Sequence, residues 1–201
     1  MRIDAVIFDL DGTLYDRSRL PLRILRGSLF QWRFINAERK SRRSLAGRRA
    51  GMCDLFEMMA GQLHCGENEC RTWFEGHYMP LMVDCVRKYC HPRPWVAREL
   101  ERLRRENVKT AVLSDYPCVN EKLQALGLSG DDFDIVADAP SLGGFKPCAL
   151  PFLNMAEKLG VDTSATLVVG DRDDTDGEGA RKAGMRFALC GPNYEKPDYE
   201  I

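Results

Sequence analysis

The chain has 201 residues, of which 44% are hydrophobic and 29% are charged, and its formal net charge at pH 7 is -1. This composition is typical of a soluble globular protein and excludes an intrinsically disordered one. No apolar run approaches the roughly 18 residues of a membrane-spanning helix, and no nucleic-acid-binding motif accompanies the near-neutral charge, so we expect neither a membrane nor a nucleic acid as partner.

The first predicted element is a short strand that stops at two acids. Residues 5–13 read AVIFDLDGT, and the apolar run predicts a strand at residues 3–8 that is buried on both faces. Asp9 and Asp11 follow it. Because residues two apart in an extended segment point the same way, we expect both carboxylates to reach one reaction centre at the end of this strand.

Residues 16–91 form a basic region with almost no strand signal. They carry 14 Lys and Arg against 8 Asp and Glu, whereas the rest of the chain carries 15 against 22. Apolar residues recur here at helical spacing, which predicts helices at residues 20–35, 54–63 and 71–90. The first helix is basic and amphipathic, a pattern that also occurs at membrane surfaces, but we favour packing of its apolar face inside a small helical subdomain.

The basic region also holds five of the eight cysteines and all three histidines. Cys65 and Cys70, like Cys85 and Cys90, are five positions apart, which is wider than the gap of common zinc sites. A zinc site is one possible interpretation, but ordinary thiols are favoured.

The first residues do not resemble a signal peptide, so we expect a cytoplasmic protein whose cysteines are reduced.

The remainder of the chain alternates short apolar runs with helical patterns. Strands are predicted at residues 110–113, 133–137, 166–169 and 187–189, and helices at residues 96–107, 120–127, 150–160 and 178–184. Such alternation predicts an α/β fold, a doubly wound parallel sheet with helices on both faces. The expected domains are a catalytic core of residues 1–15 and 92–201 and an inserted all-helical domain of residues 16–91.

Polar side chains end three of the predicted strands. Ser114 ends the second and Asp171 ends the fourth, as Asp9 and Asp11 end the first. Ligands of open parallel sheets bind at this edge. Clustered carboxylates repel each other, a divalent cation removes the repulsion, and all-oxygen ligands favour Mg²⁺. Lys146 supplies the fixed positive charge that phosphoryl transfer requires.

Four segments, taken in order, resemble the four motifs of the haloacid dehalogenase (HAD) superfamily. They are DLDGT at residues 9–13, Ser114, Lys146-Pro147, and GDRDDTDGEGARKAG at residues 170–184. The resemblance implies a HAD-like Rossmannoid core, into which many members insert a helical cap after the first motif. It covers residues 1–15 and about 92–201, but no detail of residues 16–91.

The resemblance also implies catalytic roles. Asp9 would be the nucleophile that takes a phosphoryl group, and Asp11 would protonate the leaving oxygen and later activate water. Thr13 would support the loop and contact the phosphoryl group, while Ser114 and Lys146 would hold its oxygens.

A second set of implied roles concerns the metal. The Mg²⁺ ligands would be Asp9, the backbone carbonyl of Asp11, Asp171 and Asp176. Asp173 and Asp174 are expected to support these ligands or to face solvent. Asp115 stands where many relatives have asparagine, and its role is left open.

The second aspartate of the first motif favours a phosphatase. A departing halide needs no proton donor, and the dehalogenases of the superfamily lack this residue. We therefore predict Mg²⁺-dependent hydrolysis of a small phosphorylated metabolite through an aspartyl-phosphate. The alternatives are a sugar-phosphate mutase of the same superfamily and a non-enzymatic binding or regulatory protein on this fold.

Substrate contacts are predicted in the basic region. Residues 42–52, RRSLAGRRAGM, resemble the Leu-x-Gly loop by which mutase caps project substrate-facing side chains. Arg48 and Arg49 would then meet a distal anionic group, and the alternative is a solvated basic helix face. The positive charge of this region fits a small anionic substrate that is steered into the cleft. No particular oligomeric state is predicted.

Overall fold

A five-stranded parallel sheet forms the centre of the protein. The computed structural model describes residues 2–18, 20–27, 31–191 and 199–200. The strands lie in the order β3-β2-β1-β4-β5, and every neighbouring pair is parallel. Their bounds are β1 Ala5–Phe8, β2 Lys109–Ser114, β3 Ile135–Asp138, β4 Thr166–Gly170 and β5 Arg186–Leu189. The predicted doubly wound α/β class is confirmed.

The central strand β1 is apolar at every position and does not alternate between apolar and polar residues. All four of its residues are buried. Val6 and Phe8 belong to a hydrophobic cluster on one face of the sheet, and Ala5 and Ile7 belong to a cluster on the other face. Because helices cover both faces, each side chain needs to be apolar whichever way it points.

Between β1 and residue 91, the described part of the chain contains helices and no strand. It forms α1 Leu20–Gly27, α2 Trp32–Leu45, α3 Met52–Leu63, α4 Glu67–Trp73 and α5 Met79–Tyr89, with a π-helical turn at Phe74–Tyr78 that joins α4 to α5. Aromatic rings hold this bundle together: Trp73 stacks on Phe34 at 5.1 Å and on Tyr78 at 5.0 Å between ring centroids. Within the described residues, no helix combines the length and apolar character that crossing a membrane requires.

The predicted helix at residues 20–35 is wrong in its extent. Two helices occupy this part of the chain: α1 ends at Gly27, and α2 begins at Trp32 and continues to Leu45. Glycine is a poor helix former, and at position 27 a Cβ atom would come within 2.7 Å of Leu81. The lack of a side chain at this position lets α1 pack closely against α5. Residues 28–30 lie outside the described residues.

Four further helices cover the two faces of the sheet. They are α6 Val96–Arg105, α7 Val119–Ala125, α8 Leu150–Leu159 and α9 Glu178–Lys182. Apolar residues of α6 and α7, such as Leu103 and Leu123, join the cluster that contains Phe8. Residues of α8 and α9, such as Phe152 and Ala180, join the other cluster. The predicted helices of this region are thus all present, with ends that differ from the prediction by at most two residues.

The segments that enter and leave the helical insert run side by side. Tyr15 forms an isolated antiparallel bridge with Pro92, and the backbone N–H of Arg93 donates to the Leu14 carbonyl at 2.8 Å. The Arg93 guanidinium donates to the carbonyls of Gly12 and Thr13 at 2.7 and 2.9 Å. Arg93 therefore fixes the loop that follows Asp9, and sequence reasoning missed it. The domain boundaries next to this crossing stay a prediction.

Candidate active site

The carboxyl ends of β1, β2 and β4 meet at one edge of the sheet. Phe8, the last residue of β1, lies opposite Val112 of β2 and Val169 of β4, so the next residues of all three strands converge. A cavity of about 150 Å³ opens there, and its walls are formed by Asp9, Asp11, Arg17, Arg42, Asp115, Tyr116, Asp171, Arg172, Thr175 and Asp176. A larger cavity of about 340 Å³ lies at the opposite edge, where β2 begins, but none of the predicted site residues lines it.

Lys146 connects the acids of this edge. Its Nζ donates to Asp9 Oδ1 at 2.9 Å, to Asp176 Oδ1 at 2.8 Å and to the Leu113 carbonyl at 2.7 Å. Burial alone would lower the pKa of Lys146, but the carboxylates of Asp176 and Asp9 outweigh this effect and raise it. The ammonium is therefore a fixed positive charge beside Asp9.

Asp9 has a second donor on its other oxygen. The buried Thr13 hydroxyl donates to Asp9 Oδ2 at 2.9 Å. Thr13 is four residues further along the chain, and the turn that brings it back depends on Gly12. That glycine has a φ of +117°, and a Cβ atom there would lie 2.2 Å from Asp171 Oδ2. Glycine is thus required both for the backbone conformation and for the close approach of the Asp171 side chain.

Three carboxylates at this edge fit a metal ion. Asp9, Asp171 and Asp176 each place one oxygen so that all three oxygens lie within 4.8 Å of one another. Burial, and next the charge of Asp9, raises the pKa of Asp171. Burial also raises the pKa of Asp176, although Lys146 opposes it. Since a hard divalent cation prefers carboxylate oxygen and would relieve this repulsion, the donor set suits Mg²⁺.

The later acids of the fourth motif separate clearly in the structure. Asp176 is buried, whereas the side chains of Asp173 and Asp174 are 63% and 69% exposed. Asp173 pairs with Arg181 at 2.8 Å and Asp174 with Arg172 at 2.6 Å. Of these three acids, only Asp176 belongs to the carboxylate cluster.

Asp11 lies apart from that cluster and has its own donors. Ser114 Oγ donates to it at 2.8 Å, Lys122 Nζ reaches both of its oxygens at 2.8 and 3.1 Å, and the Tyr15 hydroxyl also donates to it. Burial would raise the pKa of Asp11, but the charge and hydrogen bonds of Lys122 lower it overall. Ser114 thus contacts Asp11 in this structure.

Sequence reasoning missed Lys122 and Tyr15. Lys122 lies in the first turns of α7, eight residues after Ser114, and the sequence predicts an ordinary polar helix residue at this position. Tyr15 is predicted to belong to a connecting segment. A signal was available, because α7 begins at the carboxyl end of β2 and its first turns therefore lie near the site.

An arginine of the helical insert reaches the cavity. Arg42 of α2 donates through Nε to the buried Glu38 at 2.6 Å and through Nη1 to the Asp115 carbonyl at 2.8 Å. Its guanidinium lies 4.0 Å from the centroid of the Tyr116 ring. Asp115 accepts from the backbone N–H of Lys146 at 3.2 Å, and burial raises its pKa.

Arg48 and Arg49 occupy a different position. Both are exposed, and the cavity walls include Arg42 instead. They follow the end of α2, where Ala46 bridges Phe145 and the Arg48 carbonyl accepts from the Phe145 N–H at 3.1 Å. Their contact with a substrate stays a prediction.

The cysteines form no metal site in the described part of the chain. All eight are free, and the acid cluster is the sole group of three or more potential metal ligands found there. Cys65 and Cys70 lie close together, with 3.5 Å between their sulfur atoms.

Comparison with known proteins identifies the family. Residues 3–184 match the family model for haloacid dehalogenase-like hydrolases. The chain belongs to this family. Phosphoglycolate phosphatase from Aquifex aeolicus is 29% identical over 98% of this chain and 89% of its own length. Phosphoglycolate phosphatase from Neisseria meningitidis is 29% identical over 99% of this chain and 89% of its own. The prediction of a phosphatase-like HAD member is confirmed.

Solved structures of HAD hydrolases share the fold. A 2-haloacid dehalogenase from Pseudomonas syringae superimposes with a TM-score of 0.64 at 25% identity and covers 92% of this chain and 85% of its own. HAD-hydrolase YfnB from Bacillus subtilis, bound to magnesium, superimposes with a TM-score of 0.69 over 100% of this chain and 95% of its own. Its identity is 17%, so it supports the fold alone.

Proposed function

We propose that this HAD-like hydrolase removes the phosphoryl group from a small phosphate monoester, with Asp9 as the nucleophile and Mg²⁺ as the cofactor. One observation carries the proposal. The Asp9 carboxylate accepts hydrogen bonds from Lys146 and Thr13, while one of its oxygens lies within 4.8 Å of oxygens of Asp171 and Asp176. A nucleophilic carboxylate beside a fixed ammonium and a cation site suits attack on phosphorus.

In the first half of the proposed reaction, an Asp9 oxygen forms a bond to phosphorus and the bond from phosphorus to the leaving oxygen breaks. Asp11 gives a proton to that oxygen. Lys146 stabilises the negative charge of the transferring group. Asp9, Asp171, Asp176 and the Asp11 carbonyl would hold Mg²⁺, which when bound neutralises phosphoryl oxygens.

In the second half, the phosphorylated Asp9 is hydrolysed. Asp11, now without its proton, takes a proton from water, and the water oxygen attacks phosphorus. The bond between phosphorus and the Asp9 oxygen then breaks, which releases inorganic phosphate and restores both carboxyl groups. One residue can act as acid and then as base because each step leaves it in the form that the next step needs.

The proposed substrate is a short phosphorylated acid, with phosphoglycolate as the first compound to test. Two phosphoglycolate phosphatases are 29% identical to this chain over nearly its whole length. The small cavity suits a substrate of few atoms, and Arg17, Arg42 and Arg172 in its walls provide positive charge for a carboxylate. Arg48 and Arg49 stay candidates for contact with a longer anionic substrate.

We also propose that residues 16–91 act as a cap over the core of residues 1–15 and 92–201, and that substrate enters between them. Closure of a cap excludes bulk water from a reacting phosphoryl group.

The free cysteines are consistent with a reducing cytoplasm.

The first test replaces the nucleophile. Asp9→Asn should lower kcat for 4-nitrophenyl phosphate in Mg²⁺ by about 10³-fold or more, because the neutral amide is too weak a nucleophile to form the acyl phosphate. The matched control is Asp173→Asn, which makes the same change at an exposed aspartate that pairs with Arg181 and should keep wild-type turnover. Unchanged turnover in Asp9→Asn would overturn the assignment.

Product analysis separates the alternatives. Released inorganic phosphate supports a phosphatase, whereas phosphate that is retained on an isomerised sugar identifies a mutase. Absence of both across a panel of phosphorylated metabolites, together with specific binding of another molecule, favours a non-enzymatic role.

A further inference from the structure

Three arginines lie in the wall of the cavity beside the acids, and two of them already have firm partners. The side chain of Arg42 is 13% exposed, and its guanidinium donates to Glu38 and to the Asp115 carbonyl. Arg172 donates two hydrogen bonds to Asp174, at 3.0 and 2.6 Å. Both guanidinium groups are therefore held by partners outside the carboxylate cluster.

Arg17 is the third arginine, and it is held less firmly. Within the part of the chain that the structure describes, its guanidinium makes a single hydrogen bond, from Nη2 to Asp171 Oδ2 at 3.2 Å. Its side chain is 41% exposed. Since a guanidinium has five N–H donors, the remaining donors of Arg17 can serve a ligand in the cavity.

Arg17 also lies close to the loop that follows the proposed nucleophile. A Cβ atom on Gly12 would come within 3.0 Å of Arg17 Nε, and Asp9 and Arg17 line the same cavity. A small substrate whose phosphoryl group reaches Asp9 has its other atoms in the space that Arg17 borders. The group that a guanidinium binds best there is a carboxylate, which accepts two parallel hydrogen bonds from it.

We propose that Arg17 binds the carboxylate of the substrate and thereby makes the site selective for phosphorylated acids over phosphorylated alcohols. The inference rests on the proposed phosphatase function, and it selects one residue from the three arginines of the cavity wall. Arg17 is then a specificity-determining residue that contacts the substrate away from the bonds that form and break.

The present partner of Arg17 gives the proposal a second consequence. Asp171 belongs to the carboxylate cluster that suits a cation, so Arg17 and the cation compete for it. Once Asp171 binds Mg²⁺, the Arg17 guanidinium is released to the substrate carboxylate. Once Arg17 binds that carboxylate, Asp171 is released to the cation. The two binding events should therefore strengthen each other by the same factor.

Two inert ligands isolate the contribution of the substrate carboxylate. 3-Phosphonopropionate is phosphoglycolate with a methylene group in place of the bridging oxygen, and propylphosphonate carries a methyl group in place of the carboxylate. Isothermal titration calorimetry in Mg²⁺ gives a Kd for each ligand. The wild type should bind 3-phosphonopropionate about 10-fold more tightly, and Arg17→Gln should bind both ligands about equally.

Arg172→Gln is the matched comparison, because it removes the same charge from the same cavity wall and leaves Arg17 in place. It should keep most of the wild-type preference for the acid. Both Kd values come from one preparation of each variant, so an unfolded fraction changes the stoichiometry and not the preference. A wild-type preference in Arg17→Gln, or an equal loss in both variants, would overturn the role of Arg17.

Titration of Mg²⁺ into protein saturated with each ligand tests the competition for Asp171. In the wild type, Mg²⁺ should bind up to roughly 5-fold more tightly with 3-phosphonopropionate than with propylphosphonate. In Arg17→Gln the two values should be equal. Equal values in the wild type, or the same difference in Arg17→Gln, would overturn the second consequence.

Turnover of 4-nitrophenyl phosphate separates failure of this inference from failure of the proposed function. Turnover that survives Asp9→Asn overturns the function itself. Turnover that is lost in Asp9→Asn, together with a wild-type preference for the acid in Arg17→Gln, overturns only the role of Arg17.

Discussion

Asp171 pairs with the Arg17 guanidinium at the place where the proposed site would bind a metal ion. Its Oδ2 lies 3.2 Å from Arg17 Nη2, and Asp171 also belongs to the carboxylate cluster with Asp9 and Asp176. A divalent cation that binds to this cluster has to compete with the guanidinium for Asp171. Arg17 therefore opposes metal binding at the level of a single ion pair.

We predict that Arg17→Gln tightens Mg²⁺ binding. The pair is partly exposed, and such pairs contribute about 0–1 kcal/mol, so the dissociation constant should fall by up to roughly 5-fold. Isothermal titration calorimetry with Mg²⁺ alone gives the value. The matched control is Arg172→Gln, which removes the same charge beside Asp171 but from an arginine that pairs with Asp174. Equal tightening in both variants would show that only the overall charge matters.

At the scale of elements, the site depends on how closely β4 approaches the π-helical turn Asp173–Gly177. The last residue of β4 is Gly170, and a Cβ atom there would lie 2.5 Å from three side-chain atoms of Asp176. This approach lets Asp176 reach Lys146 at 2.8 Å. The glycine is needed for space, because the backbone at position 170 lies against the Asp176 side chain.

Gly170→Ala should therefore displace Asp176 and lower kcat/KM for 4-nitrophenyl phosphate by about 100-fold, because a shift of about 1 Å in a site costs that much. Gly61→Ala is the matched control. Gly61 lies inside α3 with no atom within 4 Å of the added Cβ, so this variant should keep its activity and gain up to about 1 kcal/mol of stability from helix propensity. Wild-type activity in Gly170→Ala would contradict the argument.

The elements themselves were largely predictable, and the partners of the acids were not. Short apolar runs between helical patterns gave all five strands, because a strand buried on both faces leaves a strong composition signal. Periodicity does not show where a helix ends, so α1 and α2 were merged into one. It also does not show which distant side chains meet, and for that reason it indicates neither Lys122 nor Arg42. Topology alone predicts that Asp9 and Asp171 meet at one edge of the sheet, whereas Asp176 is predicted from the resemblance to the fourth HAD motif.

At the scale of the whole molecule, repulsion within the carboxylate cluster lowers the stability of the folded protein, and a bound cation would remove this repulsion. Burial raises the pKa values of Asp171 and Asp176, which means that their ionised forms are disfavoured in the folded protein. A cation that binds only the folded state shifts the unfolding equilibrium towards that state. Metal binding should therefore increase the free energy of unfolding, which can be measured without an activity assay.

We predict that Mg²⁺ raises the Tm of the protein. At 100 times the dissociation constant the gain is about 2.7 kcal/mol, or roughly 5–10 °C for a chain of this size. Differential scanning fluorimetry with and without EDTA measures the shift. Asp171→Asn should abolish most of it, and Asp173→Asn should keep it. A shift of equal size in both variants would place the cation elsewhere.

The turn after α2 has a consequence for attempts to graft new specificity onto this fold. The Gly47 N–H donates to the Phe145 carbonyl at 3.0 Å, and the Phe145 N–H donates to the Arg48 carbonyl at 3.1 Å, so the insert is joined through backbone to the residue before Lys146. A transplanted insert from another relative would need matching backbone partners at this junction. Exchange of the helical insert is therefore not independent of the proposed chemistry. A chimaera that ignores the junction would alter the placement of Lys146, the lysine proposed to stabilise the transferring phosphoryl group.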